Sequence, residues 1–132
     1  MNVQEVKRIS EVSKLERWPY PRTFQALIDA GVTSYRTEVA DNFTVYMGEG
    51  DRYEDMNSAM AEKSEIADEF HGDEVKSGLV HHQQHRTPYA DFLKDMAKAG
   101  VHYYIVDMPG RMITYTSGRP GESYAEAIPA FE

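Results

Sequence analysis

The sequence AGVTSY at residues 30–35 returns 69 positions later as AGVHYY at residues 99–104. The two segments align without a gap as far as Tyr46 and Tyr115, and five of these seventeen pairs are identical. The identical pairs are Ala30/Ala99, Gly31/Gly100, Val32/Val101, Tyr35/Tyr104 and Tyr46/Tyr115. Glycine after an apolar helical stretch favours a left-handed helix end, which a side chain would penalise. Each segment therefore predicts a helix that leads into a β-hairpin.

The residues on either side extend this pattern along the chain. Apolar residues at every third position predict a first helix, and Thr23 and Thr87-Pro88 are typical starts of two later helices. The predicted helices cover residues 2–16, 23–30, 73–84 and 87–99. The predicted strands cover residues 32–39, 43–47, 65–67, 102–108, 112–116 and 123–128. Residues 48–64 have no pattern that assigns them to an element.

The chain is therefore predicted to be a single α+β domain over residues 1–132, built from duplicated helix–strand–strand units whose helices pack on an antiparallel sheet. The internal repeat covers about residues 23–47 and 88–116, and the helix at 2–16 precedes it. The alternative is that two such elements acquired the same cap chemistry independently. The fold class is the same under both interpretations.

Composition excludes several classes of protein. The net charge is −8, and most of the acidic side chains of residues 38–74 have no basic neighbour in sequence. A direct nucleic-acid binder or a protein of anionic membrane surfaces needs a basic patch, which this sequence lacks. The absence of cysteine excludes disulfides and thiolate chemistry, and no apolar run has the length of a membrane span. We expect a cytoplasmic protein.

No catalytic motif stands out. The sequence has no phosphate-binding glycine loop, no nucleophile elbow and no HExxH, so a non-enzymatic role without a cofactor is favoured. His81 and His85 lie four residues apart and could share one helix face, as two ligands of a zinc, nickel or copper ion would. Without a third fixed ligand they make an incomplete site, and we predict no metal. His82 falls on the apolar face of that helix and is expected to be the most buried of the three.

Tyrosine is abundant, with nine in the chain. Tyrosine suits a half-wet sheet face, a ligand groove or an interface. Cross-strand packing within the hairpins is one interpretation. The other is a ligand cleft between the two repeats, whose candidate residues are Tyr35, Tyr46, Tyr104, Tyr115 and His82.

The same residues carry a resemblance to a known family. The chain resembles the YdfO/YbcV-like family of short bacterial and prophage proteins (domain of unknown function 1398), some of which are labelled phage envelope protein. The matching motifs are FxxLxxAGVxxY at 24–35, HQ at 82–83, YxxF at 89–92, AGVxxYxVD at 99–107, Tyr115 and EAIP at 126–129. Arg86 departs from the family, which usually has glycine there. The resemblance implies an α+β fold and no established activity.

Three functional hypotheses follow. The first is a non-enzymatic accessory or interaction module of phage or mobile-element origin, which would act on a protein partner or a small molecule and could form a homodimer. The second is a small-molecule-binding protein or hydrolase that uses the tyrosine-lined cleft. The third is an acidic mimic of nucleic-acid charge, which needs carboxylates at regular spacing along one face.

Overall fold

The computed structural model describes residues 1–56 and 65–129. In these ranges the chain forms four helices and one six-stranded antiparallel sheet, so the predicted α+β fold is confirmed. The elements are α1 Val3–Leu15, α2 Tyr20–Asp29, β1 Ser34–Glu38, β2 Phe43–Met47, β3 Arg52–Met56, α3 Gly72–His85, α4 Tyr89–Lys98, β4 Tyr103–Asp107, β5 Met112–Thr116 and β6 Ser123–Ala127. No helix in the described ranges is long and apolar enough to cross a bilayer.

The sheet has the strand order β3-β2-β1-β4-β5-β6, so β1 and β4 form its centre. The middle residue of β1, Arg36, pairs with the middle residue of β4, Ile105. One further backbone hydrogen bond lies at each end of this strand pair. The Val39 N–H donates to the His102 carbonyl at 2.9 Å, and the Met108 N–H donates to the Thr33 carbonyl at 3.1 Å. These two bonds join equivalent positions of the two halves, which therefore meet about an approximate two-fold axis.

The helices cover one face of the sheet. Side chains alternate between the two faces of each strand, so every second residue is buried under the helices. Tyr35 and Thr37 are buried on β1, whereas Arg36 between them is exposed on the other face. The apolar stripes of the helices close over the inner face, with Phe24 and Met96 fully buried. The two halves thus share one core between a helical layer and the sheet.

Both glycines of the repeated segment end a helix as predicted, with φ of +93° at Gly31 and +84° at Gly100. The N–H of Gly31 donates to Ile28 and that of Val32 donates to Leu27, and the second half repeats both bonds. This is a Schellman end, which requires the left-handed residue. The matching geometry is what a duplication would produce, although common descent of the two units stays a prediction.

Several predicted boundaries were wrong. Helix α2 begins at Tyr20, not at Thr23. One proline at its N-cap and another in its first turn are tolerated there, because the N–H groups at the start of a helix have no partner within the helix. Pro88 likewise occupies the N-cap of α4, and Thr87 does not cap it.

The segment at 48–64 that had no pattern contains a strand, β3, whose first four residues are polar or tyrosine. Its last part, residues 57–64, lies outside the described ranges. The strand predicted at 65–67 is irregular chain.

Alanine in place of Gly100 should destabilise the fold more than alanine in place of Gly31. A Cβ at Gly100 would press on the Glu69 carbonyl oxygen and lie 2.8 Å from the Phe70 Cα, whereas at Gly31 the nearest atom is Met1 Cα at 2.9 Å. The positive φ alone costs about 1 kcal/mol. We expect Gly31→Ala to lower the free energy of unfolding in urea by about 1 kcal/mol and Gly100→Ala by about 2 kcal/mol or more.

Gly121→Ala is the matched control, since its φ is +77° and a Cβ there would meet no atom within 4 Å. Equal losses for Gly100→Ala and Gly121→Ala would show that the backbone contact at Gly100 does not matter.

Candidate functional site

A cavity of about 590 Å³ lies between the helices and the inner face of the sheet. We call it the tyrosine cavity, because six tyrosines line it. They are Tyr20, Tyr35, Tyr46, Tyr89, Tyr104 and Tyr115. All five residues proposed from sequence as a cleft, the four sheet tyrosines and His82, are brought together in its wall. Both halves of the chain contribute to the lining.

The sheet tyrosines form the floor of the cavity. Tyr35 pairs directly with Tyr46 across β1 and β2, and their ring centroids are 5.3 Å apart. Tyr104 pairs in the same way with Tyr115, at 5.5 Å. The central β1–β4 pairing brings the two sets together, since the Tyr35 and Tyr104 rings are 6.4 Å apart. Four rings therefore form one continuous aromatic surface.

Two further tyrosines, which the sequence analysis did not select, reach this floor from the first turns of α2 and α4. The Tyr20 hydroxyl is hydrogen-bonded to the Tyr35 hydroxyl, and the Tyr89 hydroxyl to that of Tyr104 at 2.7 Å. In both pairs the residues are fifteen positions apart. A Pro-Tyr pair occurs before each repeated segment, and this recurrence could have identified both tyrosines from the sequence.

Burial raises the pKa of all six hydroxyls, because desolvation penalises the phenolate. The hydroxyls therefore remain neutral and able to donate over the whole physiological range. Thr37 and Thr44 add a further buried pair, with 2.8 Å between their hydroxyl oxygens. The cavity wall thus combines aromatic faces with neutral hydrogen-bonding groups.

Lys14, another residue that the sequence analysis did not select, places a cation in the lining. It lies in the last turn of α1, and its Nζ lies 4.6 Å from the centre of the Tyr89 ring. It donates to the Ser10 hydroxyl at 3.3 Å. Burial lowers the pKa of Lys14 to about 8, and the nearby Asp55 carboxylate only partly offsets this.

His82 also lies in the cavity wall, between α3 and α4. Its side chain is 9% exposed and the neighbouring His81 and His85 are exposed, so the expected order of burial is confirmed. The Nε2–H donates to Asp95 at 2.8 Å, which leaves Nδ1 to accept from the Thr87 hydroxyl. Thr87, His82 and Asp95 thus form a hydroxyl–imidazole–carboxylate chain.

The rings of His81 and His85 do share one face of α3, with centroids 4.7 Å apart. Within residues 1–56 and 65–129, however, no three histidine, aspartate or glutamate side chains are grouped closely enough to hold a metal ion. His82 cannot add a third ligand to this pair, because both of its ring nitrogens are already hydrogen-bonded.

The links that precede α2 and α4 meet at one end of the cavity. Arg17 and Arg86 occupy equivalent positions of the two halves, and both have a left-handed backbone conformation. The Arg86 guanidinium donates to the Arg17 carbonyl. On the α3 side, the Gln83 amide donates to Glu126 at 3.2 Å. All four residues belong to the cavity lining.

One family model matches the chain. Its description is "Protein of unknown function (DUF1398)", and it covers residues 8–126. The match confirms the resemblance at the level of that family; the narrower YdfO/YbcV-like and phage-related names stay predictions. No curated protein matched the sequence.

The buried tyrosines should make the fold sensitive to alkali. Above pH about 10 the unfolded chain loses its phenolic protons while the native state keeps them, so the native state binds more protons and stability falls as pH rises. Each such tyrosine lowers the free energy of unfolding by about 1.4 kcal/mol per pH unit in this range. Absorbance at 295 nm, which reports tyrosinate, should rise for these tyrosines only together with loss of circular dichroism.

The urea-unfolded protein is the control and should titrate all nine tyrosines near pH 10. Ionisation of all nine near pH 10 with the circular dichroism still native would contradict the burial of the hydroxyls.

Proposed function

We propose that this chain, which belongs to the DUF1398 family, binds a small aromatic molecule in the tyrosine cavity. The observation that carries the proposal is a cavity of about 590 Å³ that has six tyrosines in its lining. That volume lies within the range of ordinary small-molecule sites, which are mostly apolar with a few placed polar groups. The cavity wall has this composition.

The arrangement of the rings favours a flat ligand. Phe92 lies edge-on to both Tyr104 and Tyr115, at 6.3 and 6.4 Å between centroids, so aromatic edges and faces meet in one wall. Aromatic groups prefer such edge-to-face or offset contacts. Ligand hydroxyl, carbonyl or amide groups would be recognised by the neutral phenolic hydroxyls.

Binding of a small molecule in this cavity is one part of the second hypothesis from sequence, and it is also compatible with the first, a cytoplasmic accessory module without catalysis. The acidic composition and the lack of cysteine support that location. A phage or mobile-element origin rests on the resemblance, and a protein partner or a homodimer would be additional to the ligand. The acidic charge mimic stays a separate hypothesis.

The second candidate function is hydrolysis, and the chain of Thr87, His82 and Asp95 favours it. Thr87 Oγ would attack an ester carbonyl while His82 Nδ1 takes its proton. His82 would then protonate the departing alcohol, and a water molecule would release the acid by the same steps in reverse. Asp95 would hold the ring and stabilise its charged form. Thr87 and His82 line the cavity, so a bound ester could reach them.

Calorimetric titration with 2-naphthol tests the binding proposal. We expect one molecule to bind per chain, and Thr23→Trp to abolish binding because Thr23 lines the cavity and a larger side chain there would fill it. Gln25→Trp, two residues along the same helix and outside the lining, is the matched control and should bind normally. Equal binding by Thr23→Trp, or failure of the wild type to bind both this probe and its carboxylate analogue 2-naphthoate, would refute the proposal.

Hydrolysis of p-nitrophenyl acetate tests the second candidate. With Thr87 as the nucleophile, Thr87→Ala should lower the rate of hydrolysis about 100-fold or more. Thr87→Ser should keep the wild-type rate, because serine has the same hydroxyl. Thr114→Ala, a threonine outside the cavity lining, controls for unspecific effects. A wild-type rate no higher than that of Thr87→Ala would leave only binding.

A further inference from the structure

Lys14 is a half-buried cation in the lining of the tyrosine cavity, and aromatic packing does not require it there. A half-buried lysine loses hydration, and its charged form is stable only if other groups replace the lost water. The direct contacts of Nζ are the Ser10 hydroxyl, at 3.3 Å, and the face of the Tyr89 ring. Both are neutral.

No carboxylate of the described residues forms an ion pair with Lys14. Asp55 is the charged neighbour on the sheet side, and it is reached through Ser10, whose hydroxyl lies 3.1 Å from the carboxylate oxygen. The Tyr46 hydroxyl, which also faces Ser10, is neutral because burial raises its pKa. The lowered pKa of Lys14 agrees with a cation that is incompletely compensated.

The equivalent position of the second half shows a different arrangement. Gln83 takes the place of Lys14, Leu79 that of Ser10, and Glu126 lies at the end corresponding to Asp55. There the amide bonds directly to the carboxylate, at 3.2 Å. The six tyrosines of the lining therefore come in three equivalent pairs, one member from each half, but the lysine occurs in the first half only. A symmetrical aromatic core does not need this difference, whereas a ligand with one charged end does.

We infer that the ligand is an aromatic carboxylate, bound with its carboxylate on the Lys14 ammonium and its ring against the sheet tyrosines. This inference rests on the proposed function and specifies the class of ligand. Arg17 and Arg86 also line the cavity, but both are exposed, and the Arg86 guanidinium donates to the Arg17 carbonyl. Lys14 is the half-buried cation beside the tyrosine rings, and one such cation favours a ligand with a single negative charge.

Comparison of 2-naphthoate with 2-naphthol by calorimetric titration tests the inference, because the two probes share one ring system and differ in charge. We expect the wild type to bind naphthoate at least about tenfold more tightly, the size of effect given by a charge-assisted hydrogen bond. Lys14→Met should abolish that preference, because it weakens the binding of naphthoate much more than the binding of naphthol.

Lys7→Met is the matched control, since it removes the same charge from an exposed position on the same helix and should leave the preference intact. Native circular dichroism of each variant ensures that binding, not folding, is compared. If the wild type binds naphthol and shows no preference for naphthoate, or if Lys14→Met keeps the preference, the carboxylate inference is overturned and the binding proposal stands. If neither probe binds, both are overturned.

Discussion

The hydroxyl pairs between helix and sheet tyrosines are the contacts on which the arrangement of the two layers depends. A buried hydroxyl without a partner is costly, so Tyr20 must meet Tyr35 and Tyr89 must meet Tyr104. Each pair joins two rings tip to tip, which sets the distance between the start of a helix and the strand beneath it. Large side chains that meet at their ends leave space beside them, and that space is the tyrosine cavity.

Much of the fold could be predicted from sequence because its signals are local. The glycine ends of α2 and α4 and the hairpins β1–β2 and β4–β5 follow from apolar residues, turns and caps within a few positions of one another. The strand β3 could not be predicted, because it lies at an edge of the sheet and its RYED sequence has no apolar alternation. The side-by-side placement of β1 and β4 was also not predicted, since no local pattern specifies the partner of a central strand.

The candidate site divides in the same way. The internal repeat identified Tyr35, Tyr46, Tyr104 and Tyr115 as candidates for a cleft between the two halves, and the structure brings them together. Lys14 was missed because its position depends on long-range contacts: Asp55, which Ser10 contacts, is 45 positions further along the chain than Ser10. A lysine near a helix end is usually solvated, and nothing nearby in the sequence distinguishes this one.

The central β1–β4 pairing has a consequence for how the chain folds. Every other strand pair of the sheet joins neighbours in sequence, whereas β1–β4 must close a segment of about 65 residues between Glu38 and Tyr103. Closing so long a segment costs chain entropy that the hairpins do not incur. The hairpins of each half are therefore able to form early, and the encounter of the two halves becomes the slow step. Neither half has a complete core before that encounter, so the transition state should be reached by docking two preformed units, and the chain should fold cooperatively as a whole.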